Sequence, residues 1–343
     1  MKFFKTLLLN FLILLVAFLS IELFFGYWFD KDNLGPYMRE HRMKKNQYTL
    51  KYNNQNYNFI YKRNYYGFRG EEVNLEDIKV VIIGGSTTDE RYKPMGQTIT
   101  GYLNKKISKN KKKYKIINAG IEGQSTLGHI YNFEVWFPKL KKFKPKFFIF
   151  YIGINDQILN NQKSQSQDGH ILNPSKIEIL KDTFKSKSIF YDLIRKTKHK
   201  FYTKKNRVIY DFDYSVNKQK KNIFLNYKEA LNNFEIDELK DENKNLIKNY
   251  LRNVDKLVDY SSRINATPIF INQLASEGNS NKKLFILNYS LINHCKFKNY
   301  NCIDLAKKLK GQKEFWWDGI HTTPAGSKAI ADIIFPELIN FLD

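Results

Sequence analysis

Ser86 stands behind two glycines in Val80-Val-Ile-Ile-Gly-Gly-Ser-Thr-Thr88, and Asp318-Gly-Ile-His321 lies near the other end of the chain. A serine hydroxyl becomes a nucleophile when a base takes its proton, and an imidazole serves as that base when a carboxylate fixes its tautomer and stabilises its charge. The short spacing of Asp318 and His321 puts carboxylate and imidazole within reach of each other in one turn. Two further segments offer hydrogen-bond donors. Asn118-Ala-Gly-Ile-Glu-Gly-Gln-Ser-Thr126 carries Gly120 and Gly123, where the main chain can approach a ligand closely. In Gly153-Ile-Asn-Asp156 the amide of Asn155 donates a hydrogen bond that an ionised carboxylate cannot. Taken singly, each segment has a plainer meaning. A Gly-Gly-Ser turn is commonly a loop or a phosphate cradle, and Gly-x-Asn-Asp is a good turn.

The elements around these segments give them a common direction. Short apolar runs alternate with amphipathic stretches, which predicts parallel strands joined by helices. Strands are expected at Lys79 to Ile83, Lys115 to Asn118, Lys146 to Ile152, Pro268 to Asn272 and Cys302 to Leu305. The third, reading KFFIFYI, is apolar on both faces, as a central parallel strand covered on both sides requires. A helix is predicted from about Asp237 to Arg263, because Leu246, Ile247, Tyr250, Leu251, Val254, Leu257 and Val258 recur at three- and four-residue spacing. Thr323 is a good N-cap and Pro324 a good first helical residue for a last helix to about Leu342. Each chemical segment then falls at the C-terminal end of a strand or just before the final helix, the edge of an open α/β sheet where ligands bind.

The order of the four blocks, Gly-Gly-Ser-Thr, N-x-G-x-x-G, G-x-N-D and D-x-x-H, resembles that of the SGNH, or GDSL-like, hydrolases over about residues 78 to 335. The resemblance implies a three-layer α/β/α sandwich with a flavodoxin-like, five-stranded parallel sheet. It implies Ser86 as nucleophile, His321 as general base and Asp318 as its orienting partner. The oxyanion hole would comprise the main-chain N–H groups of Ser86 and Gly123 and the side chain of Asn155. Here Gly85 and Thr87 flank the serine, whereas the family's usual block reads Gly-Asp-Ser-Leu. The island Gly67-Phe-Arg-Gly70 looks like one found upstream in membrane-anchored members, and Arg69 is read either as a ligand for an anionic group or as structural. An α/β-hydrolase elbow, G-x-S-x-G, would need glycine where Thr88 stands.

The rest of the chain bounds the setting. Residues 1–29 are expected to form a transmembrane anchor, since Thr6 to Phe29 is nearly all apolar and a bilayer core takes about 20 residues. A cleaved signal peptide is the alternative, but no small-residue cleavage motif follows. Lys2 and Lys5 favour a cytoplasmic N-terminus, opposed by Arg39, Arg42, Lys44 and Lys45. Glu22 belongs near the outer boundary, with Tyr27, Trp28 and Phe29 as an interfacial belt. Residues 30–77 are a polar lead-in and 78–343 the hydrolase-like domain, interrupted by a polar insertion at about 157–235 with helical signals near Phe184 to Phe201.

The charge of +23 arises from 57 Lys and Arg against 34 Asp and Glu. It is spread over runs at Lys109 to Lys115, Lys139 to Lys146 and Arg195 to Lys205, without a nucleic-acid motif. No metal or cofactor site is legible, and Cys295 and Cys302 are either a short disulfide or two buried thiols. His41, His129, His170, His199 and His294 are taken as surface or helix residues, with a substrate role kept open for His129. The leading function is hydrolysis of an acylated carbohydrate or lipid ester, such as a carbohydrate O-acetyl group, at the cell envelope, in a domain outside the cytoplasm. O-acyl transfer to an envelope polysaccharide and a non-catalytic glycan-binding module are the alternatives, and a basic membrane-surface adaptor is a third class.

Overall fold

The computed structural model describes residues 2–29, 45–52, 55–110, 114–158, 176–194, 197, 211–213, 224–311 and 313–342. The chain forms two compact units, residues 1–40 with 173–208 and residues 41–172 with 209–343. In the first, the helix Lys2–Phe25 presents apolar side chains outward along most of its length, and an 18-residue window within Phe3–Phe25 has a mean hydropathy of 2.6. Helix Lys176–Lys187 and a helical turn at 189–194 belong to the same unit.

The second unit begins with an antiparallel hairpin of β1 (Lys45–Tyr52) and β2 (Gln55–Lys62), which the polar composition of the lead-in does not announce. Its Tyr48 and Tyr61 are buried, so the lead-in contributes a packed face to this unit. The main sheet then takes β3 (Val80–Gly84), β4 (Ile116–Asn118) and β5 (Phe147–Ile152). β6 (Asp211–Asp213) pairs in parallel with β1, while β7 (Thr267–Asn272) and β8 (Asn301–Ile303) complete the main sheet. All five main strands are parallel, in the order β4-β3-β5-β7-β8. The chain winds outward from β3 in both directions, so β3 and β5 flank the topological switch point at which such sheets bind ligands.

Successive residues of a strand face opposite ways, and both faces of this sheet are covered. Ile149 and Tyr151 of β5 join Ile82, Ile269 and Ile271 against helices Ile99–Lys109 and Pro324–Leu342. Phe148 and Phe150 turn the other way, where Phe133 meets Phe148 at 4.9 Å and Phe270 stacks on Phe150 at 5.1 Å. Burying a side chain of this size contributes about 1.5–3 kcal/mol.

Two expected elements take a different form. The helix from Asp237 divides into Ile236–Glu242 and Lys244–Arg263 at Asn243, whose side chain donates 2.9 Å to the Leu239 carbonyl. An Asn side chain that bonds the backbone locally offers it an alternative to the helical ladder. The end of the insertion is packed rather than loose, since Leu225, Tyr227 and Ala230 cluster with Phe285 and Ile286. The basic run Arg195 to Lys205, apart from residue 197, lies outside the described residues, as do residues 111–113, Arg39, Arg42, Lys44, His41, His170 and His199. Of the two states open to the cysteines, the structure has the bond. Cys295 in helix Lys282–Lys298 is joined to Cys302 in β8, with Cα atoms 6.3 Å apart.

Candidate active site

β3 ends at Gly84 and the short helix Ser86–Asp89 begins two residues later, which sets Ser86 on the ligand-binding edge of the sheet. Gly85 has φ −83°, a value open to any residue, so backbone handedness does not explain the glycine. Space does. A Cβ at Gly85 would lie 2.4 Å from Asn155 Nδ2 and 3.0 Å from the Gln124 carbonyl oxygen. The side chain that the more usual aspartate would place here would have to displace the Asn155 amide.

His321 Nε2 lies 2.8 Å from Ser86 Oγ, and His321 Nδ1 lies 2.6 Å from Asp318 Oδ2. The other oxygen of Asp318 accepts the main-chain N–H of Ile320 at 2.7 Å and of His321 at 2.6 Å. Burial works to raise the Asp318 pKa, but the hydrogen bond and charge of His321, with these two N–H groups, hold it below the usual carboxylate range. A carboxylate so held stays ionised at neutral pH and orients Nδ1–H towards itself. The loop is pinned by Trp317 N–H donating to the His321 carbonyl at 3.1 Å and by Ser276 N–H donating to Gly319 at 2.9 Å.

Asn155 follows β5, and its amide nitrogen donates to the Gln124 carbonyl at 2.8 Å, placing it against the serine turn. Gly123, beside Gln124, has φ +81°, in the left-handed region that favours glycine. The second block is tied to the helix that carries Ser86 through Asn118, which donates to the Thr88 carbonyl at 2.7 Å and accepts from Gly120 N–H at 2.9 Å. Gln273, straight after β7, donates to Thr87 Oγ1 at 2.8 Å and accepts from Ile154 N–H at 2.8 Å. It thus links the neighbour of Ser86 to the neighbour of Asn155. Its only sequence signal is its place at the end of a strand.

Beneath the site lie buried charges that the motifs do not reveal. Lys93 donates to Glu90, to Ser327 Oγ, and to the carbonyl and hydroxyl of Thr322 at 2.5 and 3.0 Å. Glu90 also accepts from Ile99 N–H at 2.6 Å and from Ser327 Oγ at 2.5 Å. Burial pulls the Lys93 ammonium below its ordinary pKa, against the opposing pull of Glu90. Arg63 pairs with Asp89 at 2.9 Å and donates to Gly120 and Gly67 carbonyls. Arg69 donates to the main-chain carbonyls of Asp89 and Lys93, bonds of the kind its structural reading expects.

His129 is buried on helix Thr126–Tyr131, 3.3 Å from Gln124 Oε1, rather than at the surface. His294 contacts Asp255 at 2.7 Å. Burial pushes the His129 pKa down to about 3. Between that value and the unfolded value of about 6.5, the unfolded chain binds a proton that the folded chain refuses, so stability is lost as pH falls below about 6.5. Relative to pH 7.5, about 2 kcal/mol is expected to be lost at pH 5 through this residue. Urea unfolding at the two pH values, compared with His129→Gln, checks the difference in pH slope. Asp156, which burial raises to about 6, gives the opposite slope between about pH 4 and 6 but is common to both proteins.

The solved structures similar to this chain include TesA, with 12% identity, 76% of this chain and 97% of that chain covered, and a TM-score of 0.43. The esterase EstA from Pseudoalteromonas sp. has 12% identity, coverages of 78% and 99%, and a TM-score of 0.44. Axe2, an acetylxylan esterase from Geobacillus stearothermophilus, has 14% identity, coverages of 76% and 94%, and a TM-score of 0.44. Comparison with curated proteins finds no significant match. The model of the GDSL-like lipase/acylhydrolase family matches residues 80–334, from the first residue of β3 into the final helix. That match takes in most of the chain, which therefore belongs to the GDSL-like lipase/acylhydrolase family and is a hydrolase of ester bonds.

Proposed function

We propose that Ser86, His321 and Asp318 are the catalytic triad of an esterase acting on small acyl groups, foremost O-acetyl groups of carbohydrate at the cell envelope. The observation that carries this reading is the continuous hydrogen-bonded path from Ser86 Oγ through both nitrogens of His321 to Asp318, at 2.8 and 2.6 Å. Ser86 Oγ attacks the acyl carbon as its proton passes to His321 Nε2. The oxyanion is held by the main-chain N–H groups of Ser86 and Gly123 and by the Asn155 amide. That amide has two N–H groups, and with one on Gln124 the second serves the oxyanion. His321 returns the proton to the departing alcohol, leaving an acyl-serine. Water then attacks, its proton goes to His321, and the acid leaves as Ser86 is reprotonated. A sugar hydroxyl in place of water gives acyl transfer.

Two features support a small acyl group on a sugar. The cavity at Ser86 is about 10 Å³, bounded by Tyr92, Trp317, His321 and Thr322. Trp317 stacks on His321 at 5.4 Å and meets Tyr92 edge-on at 5.5 Å, an aromatic wall suited to an apolar sugar face. The apolar helix Lys2–Phe25 supports attachment to a membrane, and the Cys295–Cys302 bond supports an oxidising compartment outside the cytoplasm.

With 4-nitrophenyl esters of rising chain length, kcat/KM for acetate is expected to exceed that for octanoate by at least about tenfold, the scale of misfitting one or more methylenes. A preference for octanoate would overturn the small-acyl reading. Asn155→Ala is expected to lower kcat by about 10²- to 10³-fold with little change in KM, as loss of one oxyanion donor does. A change confined to KM would remove Asn155 from that role.

A further inference from the structure

The helix Lys2–Phe25 keeps nearly all its side chains exposed, with Glu22 as the exception at 4%. The Glu22 carboxylate accepts from Ser188 Oγ at 2.5 Å, from the main-chain N–H groups of Ile189 and Phe190 at 3.1 and 3.4 Å, and from Trp28 Nε1 at 3.1 Å. It thereby caps the helical turn at 189–194, satisfying donors that a helix start leaves unpaired. The rings of Phe18 and Phe190 stack at 4.3 Å, Trp28 meets Phe184 at 6.0 Å, and Tyr27 N–H donates to Lys187 at 2.8 Å. Residues from two distant parts of the chain thus form one packed group.

Depth follows from the same contacts. At a rise of about 1.5 Å per residue, Phe18 lies about 10 Å before the end of its helix at Phe25. Phe190 is therefore held level with a part of the helix that must itself be in hydrocarbon if the helix spans a bilayer. Leu193 and Ile194, on the same turn, are 58% and 65% exposed, and Ile177 and Leu180 on the neighbouring helix 65% and 71%. Lys187 lies over the Trp28 ring at 5.9 Å, beyond the apolar span, where headgroups begin.

We propose that residues 176–194 are a second membrane-contacting element, a collar latched to the C-terminal end of the anchor by Glu22, with Leu193 and Ile194 among lipid chains and Lys187 at anionic headgroups. This rests on the reading of Lys2–Phe25 as a membrane span. Interfacial helices sink about 5–10 Å into the boundary of headgroups and chains, which matches the level set by Phe18 and Phe190. The latch gives the N-terminal helix a structural partner within the mature chain. A cleaved signal peptide would leave Ser188, Ile189 and Phe190 without their acceptor, which supports retention of the helix.

The test uses the full-length chain in phosphatidylcholine–phosphatidylglycerol vesicles, with an environment-sensitive fluorophore on a thiol introduced by Ile194→Cys, Lys181→Cys or Leu14→Cys. The probes at 194 and 14 are expected to be quenched by brominated lipid chains and shielded from aqueous iodide at least about fivefold relative to the probe at 181. Iodide access at 194 equal to that at 181, with position 14 still quenched by lipid, overturns the collar and leaves the anchor standing. Exposure at all three overturns the anchor itself. Shielding at 194 without lipid quenching points to a second copy of the chain and overturns the lipid assignment. Adding Glu22→Ala is expected to open position 194 to iodide while position 14 stays protected, and no change there overturns the latch. The intact mass of the membrane-extracted chain is expected to include residues 2–25, and their loss overturns retention.

Discussion

Ser86→Ala is expected to lower kcat/KM for a small acetyl ester by about 10⁴- to 10⁶-fold while the protein keeps its melting temperature within about 2 °C. Truncation removes one oxygen from a partly exposed position and leaves the His321–Asp318 contact of 2.6 Å in place. The fold should scarcely register it. On the proposed mechanism no acyl-enzyme forms without Oγ, and only the oxyanion donors and substrate binding remain to assist direct attack by water. His321→Ala should cost a similar factor, and the double variant little more than either alone, because the two groups act on one proton transfer. Hydrolysis of 4-nitrophenyl acetate beside thermal melts of all three variants checks this. Activity retained within tenfold in a folded Ser86→Ala protein would place the nucleophile elsewhere.

The second large effect is expected at a residue that need not touch substrate. Lys93→Met should destabilise the domain by about 3–5 kcal/mol, because it leaves the Glu90 carboxylate buried without its cation. Both side chains are only 2% exposed, so water cannot take the place of the lost partner. For a domain of this size, that corresponds to a fall in Tm of about 6–15 °C. Activity should fall as well, since Lys93 holds the carbonyl of Thr322, the residue after His321, at 2.5 Å. Replacing both members, Lys93→Met with Glu90→Leu, should recover part of the stability, because it removes the lone buried charge but leaves Ile99 N–H and the Ser327 hydroxyl without their acceptor. Recovery of Tm without recovery of kcat would identify the pair as a positioning device for the base. Recovery of neither would show that Ser327 and Thr322 depend on the charges themselves.

What was legible in the chain follows from the range of the forces involved. The five main strands were legible within a residue or two, because each is a short apolar run whose burial is written in its own side chains, as in KFFIFYI. Thr323 and Pro324 marked the last helix through local capping chemistry. The proximity of Ser86 to His321 was legible only indirectly, through the rule that strand ends share one edge and through the resemblance of the four blocks to the SGNH hydrolases. The Lys93 cluster was hidden for a physical reason. Its partners Thr322 and Ser327 are separated from it by 229 and 234 positions, and a Glu-x-x-Lys pair has the same appearance on a solvated surface. The hairpin of β1 and β2 was obscured by its polar residues, since Tyr48 and Tyr61 are amphipathic and read equally well as surface. Gly85 was legible as a glycine but not for its true cause, because the space it leaves is taken by Asn155, seventy positions along.

The stacking of Trp317 on His321 has an optical consequence. A protonated imidazole in face-to-face contact drains the excited state of an indole, whereas a neutral one does so far less. The molecule thus carries a built-in light gauge on its proposed base, bright when His321 is neutral and dim when it holds a proton. Against a background of only three other tryptophans, the charge on one imidazole becomes visible as emission, in the resting protein, with no substrate added.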